Sequence, residues 1–519
     1  MWIVLGEEKG RIKLVSTSKT QYILPKGSFL TVESDGNKHI LRVADSQQDE
    51  PYSPSPMLAD MDLSSLKQDQ KCQNILYAYR IGDVNETTDI DFIRPQSLAR
   101  RSTQEEIDTV LGFKAEGPPV FLATLYAGKN QLLRDDQKNP IKVSLPTEMF
   151  YHQILICGKV GSGKTVASKY LAQYFVEELK GYGAVLAINV KDVDLLTMDN
   201  PSVTSNDGLL NEWKGLGESP HGIENFTVYY PANSTIDPGQ GVNLDICRRI
   251  TIDVQQLEPE ALSGLLIGIT DVGAQHLPNI FRMWQERRRR NGGEFTFRDF
   301  VQYFARGADD NYCYQTLNSR GDQLPVTLPW GTYQSVLRNL DFAMEFFDNE
   351  DAQAIGADDI LVRGKMSVIN VAGSKGIQFG SIILRHLLKG IVEQKSTGRS
   401  DVPILIIIDE VHQFYDTSSS REALGELDTI CRTGRSKEIG VIFSSQNPSD
   451  VPKGLSNVIN TKIFFKSDRS LARDYGIAVT PEEMRSLGKG YAIADIHGLP
   501  QVRVLKFPLA IAGVFEKGE

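Results

Sequence analysis

A glycine-rich stretch in the middle of the chain has the residue types that bind phosphate groups. It reads Gly158-x-x-x-x-Gly163-Lys164-Thr165 and lies between an apolar run, Ile154–Cys157, and an amphipathic segment, residues 166–180. Glycines let backbone N–H groups curl around phosphate oxygens, and the positive end of the following helix adds attraction. Lys164 can reach the β- and γ-phosphates, and the Thr165 hydroxyl can ligate Mg²⁺. Because strand and helix patterns flank the loop, the sequence predicts a nucleoside triphosphate site. The predicted nucleotide-binding residues are Gly158, Gly161, Ser162, Gly163, Lys164 and Thr165.

Two acidic residues follow an apolar run in the second half of the chain. Residues 404–408 are all aliphatic, as expected of a buried central strand, and Asp409 and Glu410 come directly after them. Asp409 is placed to hold the Mg²⁺ shell, and Glu410 to polarise an attacking water. The motif alone is weak, but its position downstream of a phosphate-binding loop makes it specific. The acidic pair favours hydrolysis over binding alone.

Polar residues around the next strand complete a candidate catalytic set. Gln446 follows a short strand at 440–444, where its amide can hydrogen-bond the γ-phosphate or the lytic water. Arg432 and Arg435 precede that strand on a turn that we expect to be exposed. An arginine there can reach the nucleotide of a neighbouring subunit and neutralise transition-state charge. Taken singly, each arginine is more typical of an ordinary protein surface than of a catalytic group.

The composition is that of an ordinary soluble protein. The chain has 519 residues, of which 41% are hydrophobic and 24% charged. It contains no apolar run near the roughly 20 residues that cross a bilayer, and its N-terminus lacks the pattern of a secretion signal. Five dispersed cysteines, none in Cys-x-x-Cys spacing, argue against a disulfide framework or a zinc site. We therefore predict a cytoplasmic protein without a membrane partner.

The formal net charge of −10 bears on nucleic-acid binding. A protein that coats duplex DNA with its outer surface is usually basic. The acidic balance therefore argues against a simple DNA-binding module. It does not argue against a ring with a basic channel, because the electrostatic potential in a channel depends on the charges that line it and not on the net charge.

Strand patterns dominate the first part of the chain, and an α/β pattern follows. Residues 1–43 contain five short strand-like runs, with a hairpin turn sequence at 34–37. A small β-barrel buries such strands and closes their edges. From residue 141, buried strands alternate with helices, which predicts a mainly parallel sheet of about eight strands. The predicted domains are a barrel-like domain at 1–140 and an α/β ATPase domain at 141–519, with a helical subdomain at about 250–360.

Three local patterns give further expectations. Ser102-x-x-Glu105 predicts a capping box that opens a helix ending near Leu111. The polar residues 191–194 follow a predicted buried strand, at the position where ligands bind in open parallel sheets. Arg287–Arg290 fit either a solvated helix end or a patch that faces DNA or another subunit.

The motifs together resemble the HerA/FtsK superfamily of ATP-driven DNA translocases, and within it most closely the HerA branch. The resemblance is carried by the loop at 158–165, by residues 406–410 with His412, by Arg-Thr-Gly-Arg-Ser-Lys-Glu-Ile-Gly at 432–440, and by Ser-Ser-Gln-Asn-Pro-Ser-Asp at 444–450. It is closest over about 141–510 and weaker over about 1–130. Two departures are Lys159-Val160 before Gly161, and Ser436 before Lys437. The second leaves open which of Arg432 and Arg435 acts in trans, and we favour Arg435.

The resemblance implies a fold, cofactors and partners. The fold is a barrel of the kind found at the start of HerA chains, followed by a RecA-like P-loop ATPase. The cofactors are ATP and Mg²⁺. The assembly is a homohexameric ring with double-stranded DNA in its central channel and hydrolysis at subunit interfaces. The partner is a nuclease or other effector, in DNA end processing or antiphage defence.

Two functions of different classes fit the sequence. The first is an ATP-dependent double-stranded DNA translocase or helicase, which the complete ATPase set favours. The second is an ATP-gated hexameric scaffold that assembles and regulates an effector enzyme without processive translocation, which the acidic composition favours. A membrane-bound conjugation or packaging ATPase is disfavoured by the lack of a membrane-spanning run. A small-molecule kinase is disfavoured because the sequence has no evident acceptor site.

Overall fold

The computed structural model groups the chain into two compact units. The first contains Met1–Pro146 and Lys466–Pro508, and the second contains Thr147–Phe465 and Leu509–Glu519. These units divide the chain differently from the predicted domains at 1–140 and 141–519, whose boundaries stay a prediction. The residues described are 1–16, 23–49, 73–85, 92–112, 116–126, 129–179, 183–191, 194–232, 241–266, 271–372, 376–415, 424–467, 477, 479–499 and 503–516.

The first unit begins with the predicted barrel. Its strands are β1 (Trp2–Glu8), β2 (Arg11–Ser16), β3 (Phe29–Ser34), β4 (Asn37–Asp49), β5 (Gln73–Asp83) and β6 (Leu98–Arg101). They close in the order β1-β2-β5-β4-β3-β6, and each neighbouring pair is antiparallel. Alternate residues fill the interior, among them Trp2, Leu14 and Leu41. β3 and β4 are joined at the predicted turn, where Asp35 and Gly36 have positive φ.

A helix and three strands follow the barrel: α1 (Gln104–Leu111), β7 (Pro119–Tyr126), β8 (Lys129–Leu132) and β9 (Lys142–Ser144). The predicted capping box is wrong by one residue, because the box is formed by Thr103 and Glu106. Glu106 is buried and accepts hydrogen bonds from Thr31 and Arg100, whereas Glu105 is exposed. Contacts with the barrel therefore select the capping register. The predicted helix end at Leu111 is confirmed.

The second unit contains the predicted parallel sheet. Its strands are β10 (Ile154–Cys157), β11 (Ala184–Asn189), β12 (Asn225–Pro231), β13 (Cys247–Thr251), β14 (Cys313–Leu317), β15 (Gln323–Thr327), β16 (Gln353–Ala354), β17 (Lys365–Asn370), β18 (Ile404–Asp409), β19 (Ile439–Ser445) and β20 (Thr461–Phe465). Nine of them follow the order β16-β13-β12-β17-β11-β18-β19-β10-β20, with every neighbouring pair parallel. This arrangement confirms the RecA-like α/β class.

The second unit also contains helices, several of which lie within residues 250–360. They are α2 (Lys164–Glu177), α3 (Asp207–Leu216), α4 (Asp271–Arg290), α5 (Phe297–Ala305), α6 (Trp330–Ala343), α7 (Ala357–Ile360), α8 (Gly376–Ser396), α9 (Glu426–Thr433) and α10 (Lys453–Ser456). Phe281, Trp284 and Phe300 pack edge to face or tilted between α4 and α5. The region also holds a hairpin, β14 with β15, which periodicity did not predict.

The arginines at the end of α4 are exposed. Arg289 donates to the Gln255 carbonyl oxygen at 2.7 Å, and Arg288 lies over the Trp284 ring at 5.8 Å. Arg290 is 3.9 Å from Glu286. These contacts favour a solvated helix end over a dedicated DNA-facing patch, although a role in binding stays a prediction.

The C-terminal part of the chain contains two strands of the first unit, and residues 509–519 belong to the second unit. Tyr491–Asp495 (β21) and Val504–Lys506 (β22) form an antiparallel pair, preceded by the helix α11 (Pro481–Ser486). β22 also pairs with β7, which is distant from it in the sequence. Residue 502, the predicted start of the last strand, lies outside the described residues. In the described parts of the chain, no helix is long and apolar enough to cross a membrane.

Candidate active site

Three adjacent strands end at one edge of the second unit's sheet and bring the predicted residues together. β19 lies between β10 and β18. Cys157, the last residue of β10, is opposite Ser445, and Ser444 is opposite Asp409. Neighbouring strands are about 4.8 Å apart, so the residues that follow β10 and β18 start about 10 Å from each other. The phosphate-binding loop, the acidic pair and Gln446 therefore occupy one edge.

The loop at 158–163 has the backbone of a phosphate cradle. Gly158, Gly161 and Gly163 all have positive φ, a conformation that side chains disfavour. A Cβ at Gly158 would lie 2.7 Å from the Phe465 Cβ, so this position also requires glycine for space. Gly163 directly precedes α2, whose first N–H groups have no partners within the helix. The loop and helix start thus form the anion-binding arrangement that a triphosphate needs.

Lys164 lies over this loop. Its Nζ donates to the carbonyl oxygens of Gly158 at 2.5 Å and Lys159 at 3.0 Å. The Ser162 hydroxyl donates to the same Lys159 oxygen at 2.7 Å. Burial lowers the pKa of Lys164, while Asp409 and Glu410 oppose that shift. The ammonium therefore lies against the backbone of the loop.

Asp409 and Thr165 provide oxygen atoms suited to Mg²⁺. Burial raises the pKa of Asp409, and a hydrogen bond from the Ser444 hydroxyl opposes the shift. Thr165 is the second residue of α2 and is half-buried. Magnesium prefers hard oxygen ligands and usually keeps several waters, so one hydroxyl and one carboxylate are a fitting protein contribution.

Glu410 is buried and held in a constrained backbone conformation. Its side chain and backbone are 3% exposed, and its φ is +48°, which is uncommon for a residue with a side chain. Its N–H donates to the Ser444 carbonyl oxygen at 2.8 Å, which fixes the turn after β18. Such strain is often found at functional sites.

The Glu410 carboxylate has two hydrogen-bond donors. Gln446 Nε2 donates to Oε1 at 3.2 Å, and Lys191 Nζ donates to the same oxygen. Burial alone would raise the pKa of Glu410, but these two hydrogen bonds and the charge of Lys191 lower it below its usual value. Glu410 is therefore kept ionised, as a group that takes a proton from water must be.

Lys191 belongs to the site, although the sequence analysis did not predict a role for it. It follows β11, which is paired with β18 on the side away from β19. The polar segment at 191–194 pointed to this edge of the sheet, but not to a contact with Glu410. Asp192 and Val193 of that segment lie outside the described residues. At the ends of β11 and β17, Asn189 Nδ2 donates to Asn370 Oδ1 at 3.1 Å, a pair that the sequence did not suggest.

His412 and Asp450 surround the acidic turn. His412 Nδ1 is 3.7 Å from Glu410 Oε2 and 3.9 Å from Asp450 Oδ2. Asp450 accepts hydrogen bonds from the Ser445 hydroxyl and, at 3.1 Å, from the Asn447 N–H. These bonds fix the turn that carries Gln446. Both residues lie within the sequence motifs that carry the family resemblance.

The two candidate arginines are at the opposite edge of the sheet. Arg435 lies in the short helix Gly434–Lys437, just before β19, and Arg432 lies at the end of α9. β19 has seven residues, so its two ends are about 20 Å apart. Neither arginine is therefore brought to the phosphate-binding loop of its own chain.

The two arginines differ in how they are held. Arg432 Nε donates to both carboxylate oxygens of Asp428, at 2.8 and 2.9 Å. The Arg435 side chain is 65% exposed, and its Nη2 lies 3.8 Å from Glu148 Oε2. Arg435 is thus the more available for a neighbouring molecule.

Comparison with known proteins gives one family match and two partial sequence matches. A family described as helicase HerA-like C-terminal matches residues 363–465, which include Asp409, Glu410, Gln446 and both arginines. The DNA double-strand break repair helicase HerA of Pyrococcus furiosus is 29% identical over 98 residues, 18% of this chain and 18% of that protein. The protein of the same name from Sulfurisphaera tokodaii is 23% identical over 188 residues, 33% of this chain and 38% of that protein. The chain thus matches less than two fifths of either relative's length.

Solved structures with a similar arrangement are more distant. The plasmid coupling protein TrwB in complex with the non-hydrolysable GTP analogue GDPNP has a TM-score of 0.46 at 13% identity, over 73% of this chain and 90% of that one. VirB4 of Thermoanaerobacter pseudethanolicus has a TM-score of 0.46 at 12% identity, over 76% of this chain and 97% of that one.

Proposed function

We propose that this chain, a HerA-like ATPase of the HerA/FtsK superfamily, hydrolyses ATP and uses the energy to move along double-stranded DNA. One observation carries the hydrolysis: Glu410 is buried yet kept ionised, at the same sheet edge as a complete phosphate-binding loop. A site that only bound nucleotide would not need this base. The two relatives are helicases by name, which supports DNA as the partner.

The residues divide the chemistry among them. Lys164 and the loop glycines bind and orient the phosphates of the substrate ATP. Thr165 and Asp409 would hold Mg²⁺, which neutralises phosphate charge when bound. Glu410 accepts a proton from the attacking water, because its lowered pKa keeps it ionised near neutral pH.

Gln446 and Lys191 act through Glu410. Both hold Oε1, so the carboxylate cannot rotate freely. Since the other oxygen, Oε2, is not used by either donor, it is the one that takes the proton. Gln446 also has an amide oxygen with which it can orient the water.

The site needs a second subunit, and we therefore propose a ring. Arg435 is about 20 Å from its own site but exposed, with Arg432 as the alternative, so either can serve a neighbour's nucleotide. A closed ring repeats this interface at each subunit. We propose a homohexamer in the cytoplasm with DNA in the channel, working with a nuclease or other effector in DNA end processing or antiphage defence.

Steady-state ATPase activity with and without linear duplex DNA tests the proposal, together with the mass in solution. A hexamer whose rate rises with DNA, and falls at least a hundredfold in Glu410→Gln, is expected. Binding of a fluorescent ATP analogue should persist in that variant, which separates chemistry from folding. If Glu410→Gln still moved DNA, the motor proposal would be refuted. A hexamer whose rate ignores DNA would instead indicate the ATP-gated scaffold.

A further inference from the structure

A cationic cavity lies in the first unit, remote in sequence from the phosphate-binding loop. It has a volume of about 680 Å³. Its charged and aromatic lining consists of Arg11, Lys26, Arg42, Arg503, Asp45 and Tyr79. Four cations thus face a single lining carboxylate, in a chain whose net charge is −10. Local charge and overall charge have opposite signs here.

Three neighbouring barrel strands build one wall of this cavity. Arg42 on β4 is opposite Tyr79 on β5, and Arg11 begins the next strand, β2. Leu41 and Val43, on either side of Arg42, are buried in the barrel, so strand alternation directs Arg42 outward. The wall is therefore part of the barrel's regular pattern.

The aromatic ring fixes one of the cations. The Arg11 guanidinium lies 5.3 Å from the centroid of the Tyr79 ring, and its Nε donates to the Tyr79 hydroxyl at 3.0 Å. Stacking and hydrogen bonding on Tyr79 hold Arg11 at the cavity without neutralising its charge. Its remaining N–H groups can donate to a ligand.

Two of the other cations, Arg42 and Arg503, repel each other. Burial, and then the charge of Arg503, lower the pKa of Arg42. Arg503 has an acidic neighbour outside the lining, since its Nη1 is 3.3 Å from Asp495 Oδ1. Asp45 uses one oxygen to accept the Ser46 N–H at 2.9 Å. Holding the half-buried Arg42 guanidinium near the exposed Arg503 costs free energy, and an anion between them would offset that cost.

We propose that this cavity is a binding site for phosphate oxyanions, supplied by a nucleic-acid backbone or by a free phosphorylated ligand. Arginine forks match phosphate oxygens in pairs, and Lys26 adds an exposed point charge at the rim. The proposal does not rest on motor activity, because its test measures binding without ATP turnover.

The experiment compares two double variants of equal charge change. Lys26→Gln with Arg42→Gln removes two cavity charges, and Lys9→Gln with Arg94→Gln removes two exposed barrel charges outside the cavity. All proteins carry Lys164→Ala, so that the phosphate-binding loop contributes little pyrophosphate binding. The probes are a fluorescein-labelled linear duplex, followed by anisotropy at several NaCl concentrations, and inorganic pyrophosphate, followed by calorimetry.

Two results would uphold the site and separate its sources. With a nucleic-acid backbone, duplex affinity falls about tenfold in the cavity variant only, and the slope of log affinity against log salt falls by about two. With a free phosphorylated ligand, pyrophosphate binding is lost while duplex affinity matches the control. If both probes bind the cavity variant as they bind the control, the proposal is overturned.

A single substitution separates charge from packing. Arg42→Lys keeps the charge but loses the guanidinium fork, so it should retain part of the binding that Arg42→Gln loses. Equal losses in two folded variants would mean that the phosphate needs the fork as well as the charge, whereas full binding in Arg42→Gln would overturn the role of Arg42. Thermal unfolding of each variant checks that the barrel remains folded.

Discussion

Lys191 donates a hydrogen bond to the Glu410 carboxylate across two adjacent strand ends. The two residues are 219 positions apart in the chain and meet only because β11 and β18 are neighbours. Glu410 raises the pKa of Lys191 against the effect of burial, and Lys191 lowers the pKa of Glu410. Each residue therefore keeps the other charged.

Replacing Lys191 should shift the pH dependence of hydrolysis. In Lys191→Met the burial of Glu410 remains while its strongest donor is lost, so its pKa rises. We expect the acidic limb of kcat against pH to move upward, so that the loss of activity is largest at the acidic end of the range. Steady-state kcat between pH 5 and 9 measures the shift.

The matched control for that profile is Lys214→Met, because Lys214 is an exposed lysine on α3. It should reproduce the parent profile. An unchanged acidic limb in Lys191→Met would show that this lysine does not tune Glu410.

Mixed rings should identify the trans arginine. Arg435→Ala and Glu410→Gln should each reduce ATPase activity at least a hundredfold when pure. In a mixture, an interface that joins an intact Arg435 to an intact Glu410 is regenerated, so activity should reappear. ATPase rates across mixing ratios measure the recovery.

Arg432→Ala provides the comparison for this test. Arg432 is engaged by Asp428, so its loss should mainly disturb the end of α9 and reduce activity less than tenfold. If mixing restores activity to Arg432→Ala instead, the assignment of the two arginines is reversed. If neither mixture recovers, hydrolysis does not depend on a neighbour's arginine.

The buried carboxylate of Glu106 should make the barrel sensitive to acid. Burial opposes ionisation, but bonds from Arg100, Thr103 and Thr31 lower the pKa of Glu106 from 4.5 to about 2. Because the folded pKa is depressed, the stabilisation is present above pH 4.5 and is lost as pH falls towards 2. The shift corresponds to about 3 kcal/mol.

Glu106→Gln should therefore lower the local stability of β3 and α1 by about 2–3 kcal/mol at pH 7. Hydrogen exchange of peptides from these elements measures it, with the exposed neighbour Glu105→Gln as the control. The difference between Glu106→Gln and the parent should shrink as pH approaches 2. A difference that is constant with pH would mean that ionisation of Glu106 is not the source.

The local parts of the site could be predicted from sequence. The apolar run, the glycines and the helix pattern around 158–165 are adjacent in the chain, and the structure has the same strand, loop and helix there. Asp409 and Glu410 likewise follow directly from the aliphatic run that precedes them. These features need only the periodicity of the nearest residues.

The contacts that depend on strand order could not be predicted. Periodicity indicates that β11 is buried but not that it lies beside β18, so the pairing of Lys191 with Glu410 was missed. Similarly, Thr103 replaces Ser102 as the helix cap because Glu106 binds Thr31 and Arg100 of the barrel. The pairing of β22 with β7, which is distant from it in the sequence, likewise could not be predicted from local patterns.

A buried lysine on the helix that follows the phosphate-binding loop should make stability depend on pH in the alkaline range. Lys169 is 6% exposed, and its Nζ donates to the Gly513 carbonyl oxygen at 2.6 Å. Burial lowers the pKa of Lys169 to about 8, although Asp194 opposes the shift. Because the folded pKa lies below the ordinary 10.5, the charged form is penalised in the folded state by about 3 kcal/mol below pH 8.

That penalty should disappear between pH 8 and 10.5, where the unfolded chain also loses the proton. Lys169→Met removes the titration. The free energy of unfolding of the variant minus that of the parent should therefore be about 3 kcal/mol larger at pH 7 than at pH 10.5, which means that the variant gains relative stability at pH 7. Denaturant unfolding at both pH values measures the difference, and Lys214→Met should show none. Since other groups titrate equally in both proteins, a relative stability that stays constant with pH would mean that Lys169 is not held with a lowered pKa.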